Sequence, residues 1–211
     1  MSKGILYLML VMTFLSSSEV AYHRNAVSQE TPASHATKIF NEDEFQFQIK
    51  SKDITIKLGS TREEVEQQLG PHVDYYKHTN VYQYKDMTIH YKDGRVDGIM
   101  IDDQAKFQTY KTPSGIGYGS TVQEVFQQYG KKAFIDTRKG KVKSITYMME
   151  KNKQGKYHVI ASFDHTILEE GRLANMKGLS MNFDQKGRVS FIMLASHEFA
   201  YNPEFNVDDI E

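Results

Sequence analysis

Apolar and polar positions follow nearly the same pattern in two stretches of the chain. Residues 58–70 read LGSTREEVEQQLG and residues 118–130 read YGSTVQEVFQQYG, with eight of thirteen positions identical at an offset of 60. In both stretches, a Thr followed three residues later by a Glu is the signature of a capping box, which predicts helices that begin after Thr61 and Thr121. Apolar residues four positions apart give each predicted helix one buried side, and a Gly ends it.

Alternation of apolar and polar residues predicts strands after each helix. Three runs follow the first helix, at 81–84, 87–91 and 95–101, with short polar turns between them. Two runs near the end of the chain, 179–183 and 188–194, repeat the last of these hairpins, because Gly-Arg-Val and Ile-Met recur in them at an offset of 93. The repeated pattern therefore extends from the helix to the final hairpin.

The second copy is longer than the first by 33 residues, which is the difference between the two offsets. The additional residues include strand-like runs at 142–149 and 156–163, which predict a long hairpin that the first copy lacks. Upstream of the first helix, alternation over 45–49 and 54–58 fits either one strand with a bulge or two short strands.

These patterns predict an α+β fold of two tandem modules, each a short helix packed on an antiparallel sheet. The first module spans 45–110, and the second spans 111–200 and includes the inserted hairpin. Before them, residues 19–44 are polar and without periodicity, which predicts a flexible linker. Residues 201–211 form an acidic tail.

Residues 1–18 are predicted to be a secretory signal peptide. An apolar run at 4–15 follows Lys3, and it is shorter than the roughly 20 apolar residues that a membrane-spanning helix needs. A buried first helix is the alternative. Export would place the mature chain outside the cytoplasm, either secreted or in the cell envelope. The chain contains no Cys, which excludes disulfides, thiol catalysis and a lipid anchor on an N-terminal Cys.

Basic residues concentrate in the second module. The whole chain has a net charge of -1, but residues 131–156 contain nine basic and two acidic residues, a net charge of +7. Such a segment is able to bind an anionic partner, such as a wall polymer, lipid head groups or an acidic protein. Alternatively, its lysines protect a solvated hairpin from edge pairing. The candidate partner-binding residues of this stretch are Lys139, Lys141, Lys143, Lys151, Lys153 and Lys156.

Tyr82 and Tyr84 of the first module are the other candidate binding residues. Tyr is favoured at interfaces because it buries a large area and keeps a hydroxyl for the polar rim. The two side chains are predicted to share one face of a strand, and core packing of the sheet uses the same arrangement. Both interpretations stay open for this pair.

The sequence assigns no residue to catalysis, to a cofactor or to a metal. The eight His residues lack the helical spacing of zinc hydrolases. Ser162, Asp164 and His165 lie close together in sequence, but adjacent residues of a strand point to opposite faces, so Asp164 and His165 are expected to diverge. An enzyme of unknown type is kept as an alternative that no specific residue supports. Nucleic acid is not expected as a partner, because no aromatic residues alternate with the basic ones.

The repeated Gly-Ser-Thr-x-x-Glu-Val phrase, its closing Gly and the strands that end in Gly-Arg-Val resemble the tandem modules of β-lactamase inhibitory proteins. The pattern is also similar to the single-module outer-membrane assembly lipoproteins of the SmpA/OmlA type, and to uncharacterised exported domains of Gram-positive bacteria. The resemblance covers about 54–194. It implies a helix on an antiparallel sheet in each half, with the two sheets side by side and a concave face for a partner.

This chain departs from both families. The inhibitors carry disulfides and the assembly lipoproteins carry a lipidated Cys, whereas this sequence has no Cys. No inhibitor contact residue matches a position here, so only the fold is implied. The sequence therefore predicts a non-catalytic exported binding module that recognises a protein or an anionic cell-envelope partner through the sheet face and the basic hairpin. A proteinaceous enzyme inhibitor of the β-lactamase-inhibitor type is the first alternative.

Overall fold

The computed structural model describes residues 38–49, 52–103, 110–160 and 171–201. The predicted signal peptide, the linker up to residue 37, the acidic tail after residue 201 and the group Ser162, Asp164 and His165 lie outside the described residues. Within them the protein has a mixed α+β fold, in which a few short helices pack on a mostly antiparallel sheet.

Two helices of eight residues begin at the predicted capping boxes. Helix α1 spans Arg62–Leu69 and helix α2 spans Val122–Tyr129. The hydroxyls of Thr61 and Thr121 accept the N–H groups three residues later at 3.3 and 3.2 Å, and the Glu side chains accept the N–H groups of the two Thr residues in return. Each box therefore satisfies two main-chain donors at the helix start, as the sequence predicts.

Both helices end at a glycine whose backbone requires it. Gly70 has φ 80° and ψ -178°, and Gly130 has φ 84° and ψ 176°. These angles lie outside the left-handed helical region in which glycine commonly ends helices, and fall in an extended region at positive φ that essentially only glycine adopts. The chain leaves each helix directly towards an edge strand.

The described residues contain twelve strands, which pair in antiparallel fashion. A ten-stranded sheet has the order β1-β10-β9-β11-β12-β7-β6-β5-β4, with β8 beside β9, and β2 and β3 form a separate pair. The strands are β1 (Ile39–Phe40), β2 (Gln46–Ile49), β3 (Ile54–Lys57), β4 (Asp74–Tyr76), β5 (Val81–Gln83), β6 (Thr88–Lys92), β7 (Arg95–Ile101), β8 (Phe134–Arg138), β9 (Lys141–Lys151), β10 (Tyr157–Ile160), β11 (Met176–Phe183) and β12 (Val189–Ser196).

The strands before α1 are two and not one. β2 and β3 pair from Gln46 opposite Lys57 to Ile49 opposite Ile54, which decides between the two alternatives that the alternation left open. Residues 38–44, at the end of the segment for which a linker was predicted, include β1 and a 3-10 turn at Glu42–Glu44. β1 pairs with β10, so this part of the chain belongs to the large sheet.

β7 and β12 join the two halves of the chain into one sheet. Ile99 lies opposite Leu194, Met100 opposite Met193, and Ile101 opposite Ile192. Met100 and Met193 are the same position in the repeated pattern, since they differ by the offset of 93. The pairing is therefore symmetric about this Met pair. The resemblance implies two sheets side by side, whereas ten of the described strands form one continuous sheet.

Each half contributes four strands in the same register. Along one row of directly opposed residues, the pairs run from the edge strand through two inner strands to the central one. The row in the first half is Tyr75, Tyr82, Ile89 and Ile99, and the row in the second half is Ile135, Ile145, Met181 and Ile192.

The segment before each helix is bound to the last strand of its own half by the same hydrogen bonds. Gly59 N–H donates to the carbonyl oxygen of Val96 at 2.8 Å, and Gly119 N–H donates to that of Val189 at 2.8 Å. Because these bonds fix the start of each helix over the sheet, Val65 and Val125 are fully buried on the same face. One hydrophobic core, which includes both valines and the β2–β3 pair, underlies both halves.

β9 is long enough to pair with two strands along the same edge. Residues 141–146 pair with β8 and residues 148–151 pair with β10, while β11 lies along the other edge. The predicted hairpin is present as β9 and β10. Because β9 is one of the four strands that both halves share, only its part beyond Tyr147 and β10, whose described part ends at Ile160, are additional. The insertion lengthens the sheet beyond the four strands that each half shares.

A short helix, α3 (His197–Tyr201), packs on the sheet face opposite α1 and α2. Phe199 lies directly over Gly98, where any Cβ would overlap its ring, and stacks on His90 at 4.5 Å. Lys92 and Glu198 form an ion pair at 2.6 Å. None of the helices among the described residues is long and apolar enough to cross a bilayer.

Candidate binding surface

The six candidate lysines lie at two ends of β9 and do not form one patch. Lys139, Lys141 and Lys143 lie at the β8–β9 turn, whereas Lys151, Lys153 and Lys156 lie at the β9–β10 turn. β9 has eleven residues, and at about 3.3 Å per residue its two ends are roughly 33 Å apart. The two groups of lysines must therefore be considered as separate surfaces.

The group at the β9–β10 turn is largely occupied within the protein. Lys151 Nζ lies 3.1 Å from Glu42 Oε2, and Lys156 Nζ donates to the side-chain oxygen of Asn41 at 2.6 Å. Lys177 forms a second ion pair with Glu42, and the hydroxyl of Tyr157 donates to the same carboxylate at 2.9 Å. These contacts hold the Glu42–Glu44 turn against the sheet.

The charge of Glu42 is stabilised by these partners. Partial burial of the carboxylate raises its pKa, but the hydrogen bonds and positive charge of Lys177, with hydrogen bonds from Tyr157 and Lys151, outweigh burial and lower the pKa to about 2. Glu42 is therefore ionised over most of the pH range. Lys151 and Lys177 stabilise this charge within the protein, in addition to any contact that they make with a partner.

In the group at the β8–β9 turn, Lys139 and Lys141 are exposed and Lys143 is half-buried, and a neighbouring turn extends the group. Lys139 and Gly140 form a two-residue turn with φ 53° and 72°, which is the geometry that tight hairpins favour. Lys141 Nζ donates to the carbonyl oxygen of Gln185 at 3.5 Å, so the β11–β12 turn lies beside it. We name the combined cluster the basic turn surface, and it consists of Arg138, Lys139, Lys141, Lys143, Lys186 and Arg188.

Few acidic groups compensate the basic turn surface. Asp136 pairs with Arg138 at 3.2 Å, and Asp184 accepts the main-chain N–H groups of Lys186 and Arg188 at 2.8 and 2.9 Å. Hydrogen bonding to the main chain, together with nearby positive charge, lowers the pKa of Asp184. Counting both carboxylates, the six basic residues leave a net charge of +4. Among the described residues, no ion pair involves Lys139, Lys141 or Lys143.

Tyr82 and Tyr84 have different environments. Tyr84 is 1% exposed and its hydroxyl bonds that of Tyr91 at 2.9 Å; burial raises the pKa of Tyr84. Tyr82 is half-buried, and its ring lies 4.4 Å from Tyr75 and 4.9 Å from His72. Tyr84 therefore belongs to the core, whereas Tyr82 lies at the margin between the core and the surface.

Several of the described histidines lie beside acidic side chains. His72 contacts Glu66 at 3.2 Å, and His90 lies 3.4 Å from Asp97. Although this second distance suits a hydrogen bond, the orientation does not, and both buried atoms are without a hydrogen-bond partner. Within the described ranges, no three His, Asp or Glu side chains converge as metal ligands do.

Two members of the basic turn surface, Lys186 and Arg188, were not among the residues predicted from the sequence. Lys186 lies within the predicted turn before the last strand and Arg188 directly follows it, and both are more than 40 residues from Lys141 along the chain. Only the strand order, which places β11 beside β9, brings them next to the β8–β9 turn. The local sequence contains a turn signal at Asp184–Gly187 but nothing that specifies its neighbour.

No protein-family model matches the chain, and no characterised protein or solved structure shows a significant match.

Proposed function

We propose that this protein is an exported, non-catalytic binding protein that recognises an anionic partner at the cell envelope. The basic turn surface is the observation that carries this proposal. Its charges come from two adjacent turns, and among the described residues no ion pair involves Lys139, Lys141 or Lys143. A cluster of one sign attracts oppositely charged partners and raises their local concentration.

We also propose that the chain arose from two copies of one helix-and-sheet unit. Three features support this: the same capping box, the same hydrogen bonds between the pre-helical segment and the last strand, and the same register across four strands. The symmetric pairing about Met100 and Met193 adds a fourth. On this proposal, the scaffold is common to both halves and the basic turn surface is a property of the second half alone.

Reversal of charge tests the binding proposal. Lys139, Lys141 and Lys186 are exposed, so Lys139→Glu, Lys141→Glu and Lys186→Glu together change the surface without removing a core contact. We expect the triple variant to lose at least tenfold in retention on isolated cell envelopes, measured by co-sedimentation at low salt. Retention of the original protein should fall steeply with added NaCl, because exposed charges are screened.

The matched control reverses three exposed lysines elsewhere, at Lys57, Lys77 and Lys85. Because both triple variants change the net charge equally, only a specific surface distinguishes them. Circular dichroism checks that both remain folded. Equal retention of the two variants, or no effect of either, contradicts binding through the basic turn surface.

A further inference from the structure

The outer edge of β8 is an open sheet edge. Within the part of the chain that the structure describes, β8 pairs only with β9, and no strand lies on its other side. Ile135, the second residue of this strand, is 40% exposed although its register partner Ile145 is fully buried. An exposed edge with an apolar side chain is a surface on which another extended chain is able to pair.

In the first half, the equivalent edge is the outer edge of β4, where a side chain of the same strand accepts an outward main-chain N–H. Tyr75 occupies the same register position in β4 as Ile135 does in β8. Its N–H points away from β5 and donates to Asp74 Oδ1 at 2.8 Å. By the same register, the N–H of Ile135 points to the outer edge of β8. At the position of Asp74, however, the second half has Phe134, which cannot accept this hydrogen bond.

Basic residues lie at both ends of the open edge. Lys131 and Lys132 precede β8 and are exposed, and Arg138 and Lys139 follow at its other end. Asp136 is the single acidic residue of 131–139, and it is paired with Arg138. These nine residues span about 30 Å when extended. The edge therefore has hydrogen-bonding groups and an apolar side chain at its centre, and positive charge at each end.

We propose that an acidic protein segment binds here in extended conformation, as an additional strand antiparallel to β8. This inference rests on the proposed function and specifies its anionic partner as a protein. Main-chain hydrogen bonds to β8 supply affinity, an apolar side chain of the partner packs beside Ile135, and acidic residues at both ends meet the four basic side chains. A second copy of β8 is excluded as the partner, because like charges would meet at both ends.

A synthetic peptide provides the probe. The fluorescein-labelled nine-residue peptide Glu-Glu-Val-Thr-Val-Thr-Val-Glu-Glu matches the length of 131–139, and its central Val aligns with Ile135. We expect fluorescence anisotropy to give a dissociation constant in the micromolar range for the full-length protein. The control is the same peptide with N-methyl groups on the amides that would face β8, which retains its charge and apolar residues. We expect at least tenfold weaker binding of the methylated peptide.

Two proline variants locate the site on the protein. Ile135→Pro removes the outward N–H of β8, and Tyr75→Pro is the matched change on the outer edge of β4. Because proline is tolerated at sheet edges, both should fold, which circular dichroism checks. We expect Ile135→Pro to lower peptide affinity at least tenfold and Tyr75→Pro to change it less than twofold. If Ile135→Pro does not fold, the comparison of the two peptides on the unaltered protein decides alone.

The outcomes separate the two proposals. Equal binding of both peptides, or no binding of either, overturns strand addition. If envelope retention then still falls on charge reversal at the basic turn surface, the proposed function stands with a partner other than an added strand. Loss of peptide binding by N-methylation and by Ile135→Pro, with Tyr75→Pro unaffected, supports strand addition.

Discussion

Glu42 illustrates how a residue that is half exposed holds a peripheral strand in place. Its carboxylate is bound by Lys151, Lys177 and Tyr157, from three strands of the large sheet. The neighbouring Glu44 is buried and accepts hydrogen bonds from Ser114 and Tyr129. Together these two carboxylates fix the turn that follows β1 to the rest of the protein.

Acid should weaken this attachment. The pKa of Glu42 is about 2 in the folded protein against 4.5 for the unperturbed group, so its stabilising contribution is present above pH 4.5 and is lost as the pH falls towards 2. We expect Glu42→Gln to lower the free energy of unfolding at pH 7 and the difference from the original protein to shrink below pH 4.5. Urea unfolding at several pH values measures it.

Asp43→Asn is the control, because Asp43 is an exposed neighbour in the same turn. It should unfold in parallel with the original protein at every pH. A difference between Glu42→Gln and the original protein that is constant from pH 7 to pH 3 would contradict the assignment of this pH dependence to Glu42.

The sequence does not predict the contacts of Glu42 and Glu44. The run Asn41–Glu44 is acidic and without periodicity, and these are properties of a solvated linker. The partners of the two carboxylates lie between 70 and 135 residues away along the chain. Burial of a carboxylate is set by such distant partners, so no local pattern predicts it.

Helices α1 and α2 illustrate, at the level of elements, how one local pattern yields the same structure twice. The two capping boxes have nearly the same hydrogen-bond lengths, and both helices bury one Val fully against the sheet. Signals for capping, apolar spacing and closing glycine all act within a dozen residues, so the sequence predicts these helices and the tight hairpins well.

Removal of either cap should cost a similar amount of stability. We expect Thr61→Ala and Thr121→Ala each to lower the free energy of unfolding by about 1 kcal/mol, because each leaves a helix N–H without its partner. Thr→Ser at the same positions keeps the hydroxyl and should cost much less. Urea unfolding at neutral pH measures all four variants, and a negligible loss for both Ala variants would show that the boxes do not stabilise the helices.

The edge strands are the elements that the sequence does not predict. β4 has three residues and β8 has five, and neither carries a clear alternation, because only one neighbour covers each of them. The alternation of apolar and polar residues therefore does not predict the candidate binding edge of β8. Its basic residues were detectable from composition, but their arrangement at the two ends of a strand was not.

At the scale of the whole molecule, the central β7–β12 pair makes the two halves share one core. Buried residues of both halves belong to a single cluster that includes Ile99 and Ile192. Local sequence does not encode the order of strands that lie far apart along the chain. The β7–β12 pairing and the separation of the six lysines onto two surfaces therefore could not be predicted from the sequence. We expect the described core to unfold in one cooperative transition.

Hydrogen exchange tests this cooperativity. The amides of Val65 in α1 and Val125 in α2 are both hydrogen-bonded within their helices. Ile99→Ala removes a fully buried side chain from the first half, and such a change typically costs about 2 to 5 kcal/mol. We expect it to lower the protection of both amides by the same amount. A loss confined to Val65 would show that the halves unfold independently.

The shared edge of β9 has a consequence for how this scaffold acquires new parts. Because β8 and β10 pair end to end along one strand, the additional hairpin grows past the common four-strand pattern and interrupts none of its ladders. The residues of β9 from Met148 onward pair with β10 and so do not alter the pairing of β8 with β9 near Ile145. We therefore expect changes in the length of the β9–β10 hairpin to leave the pairing of the four shared strands unaltered.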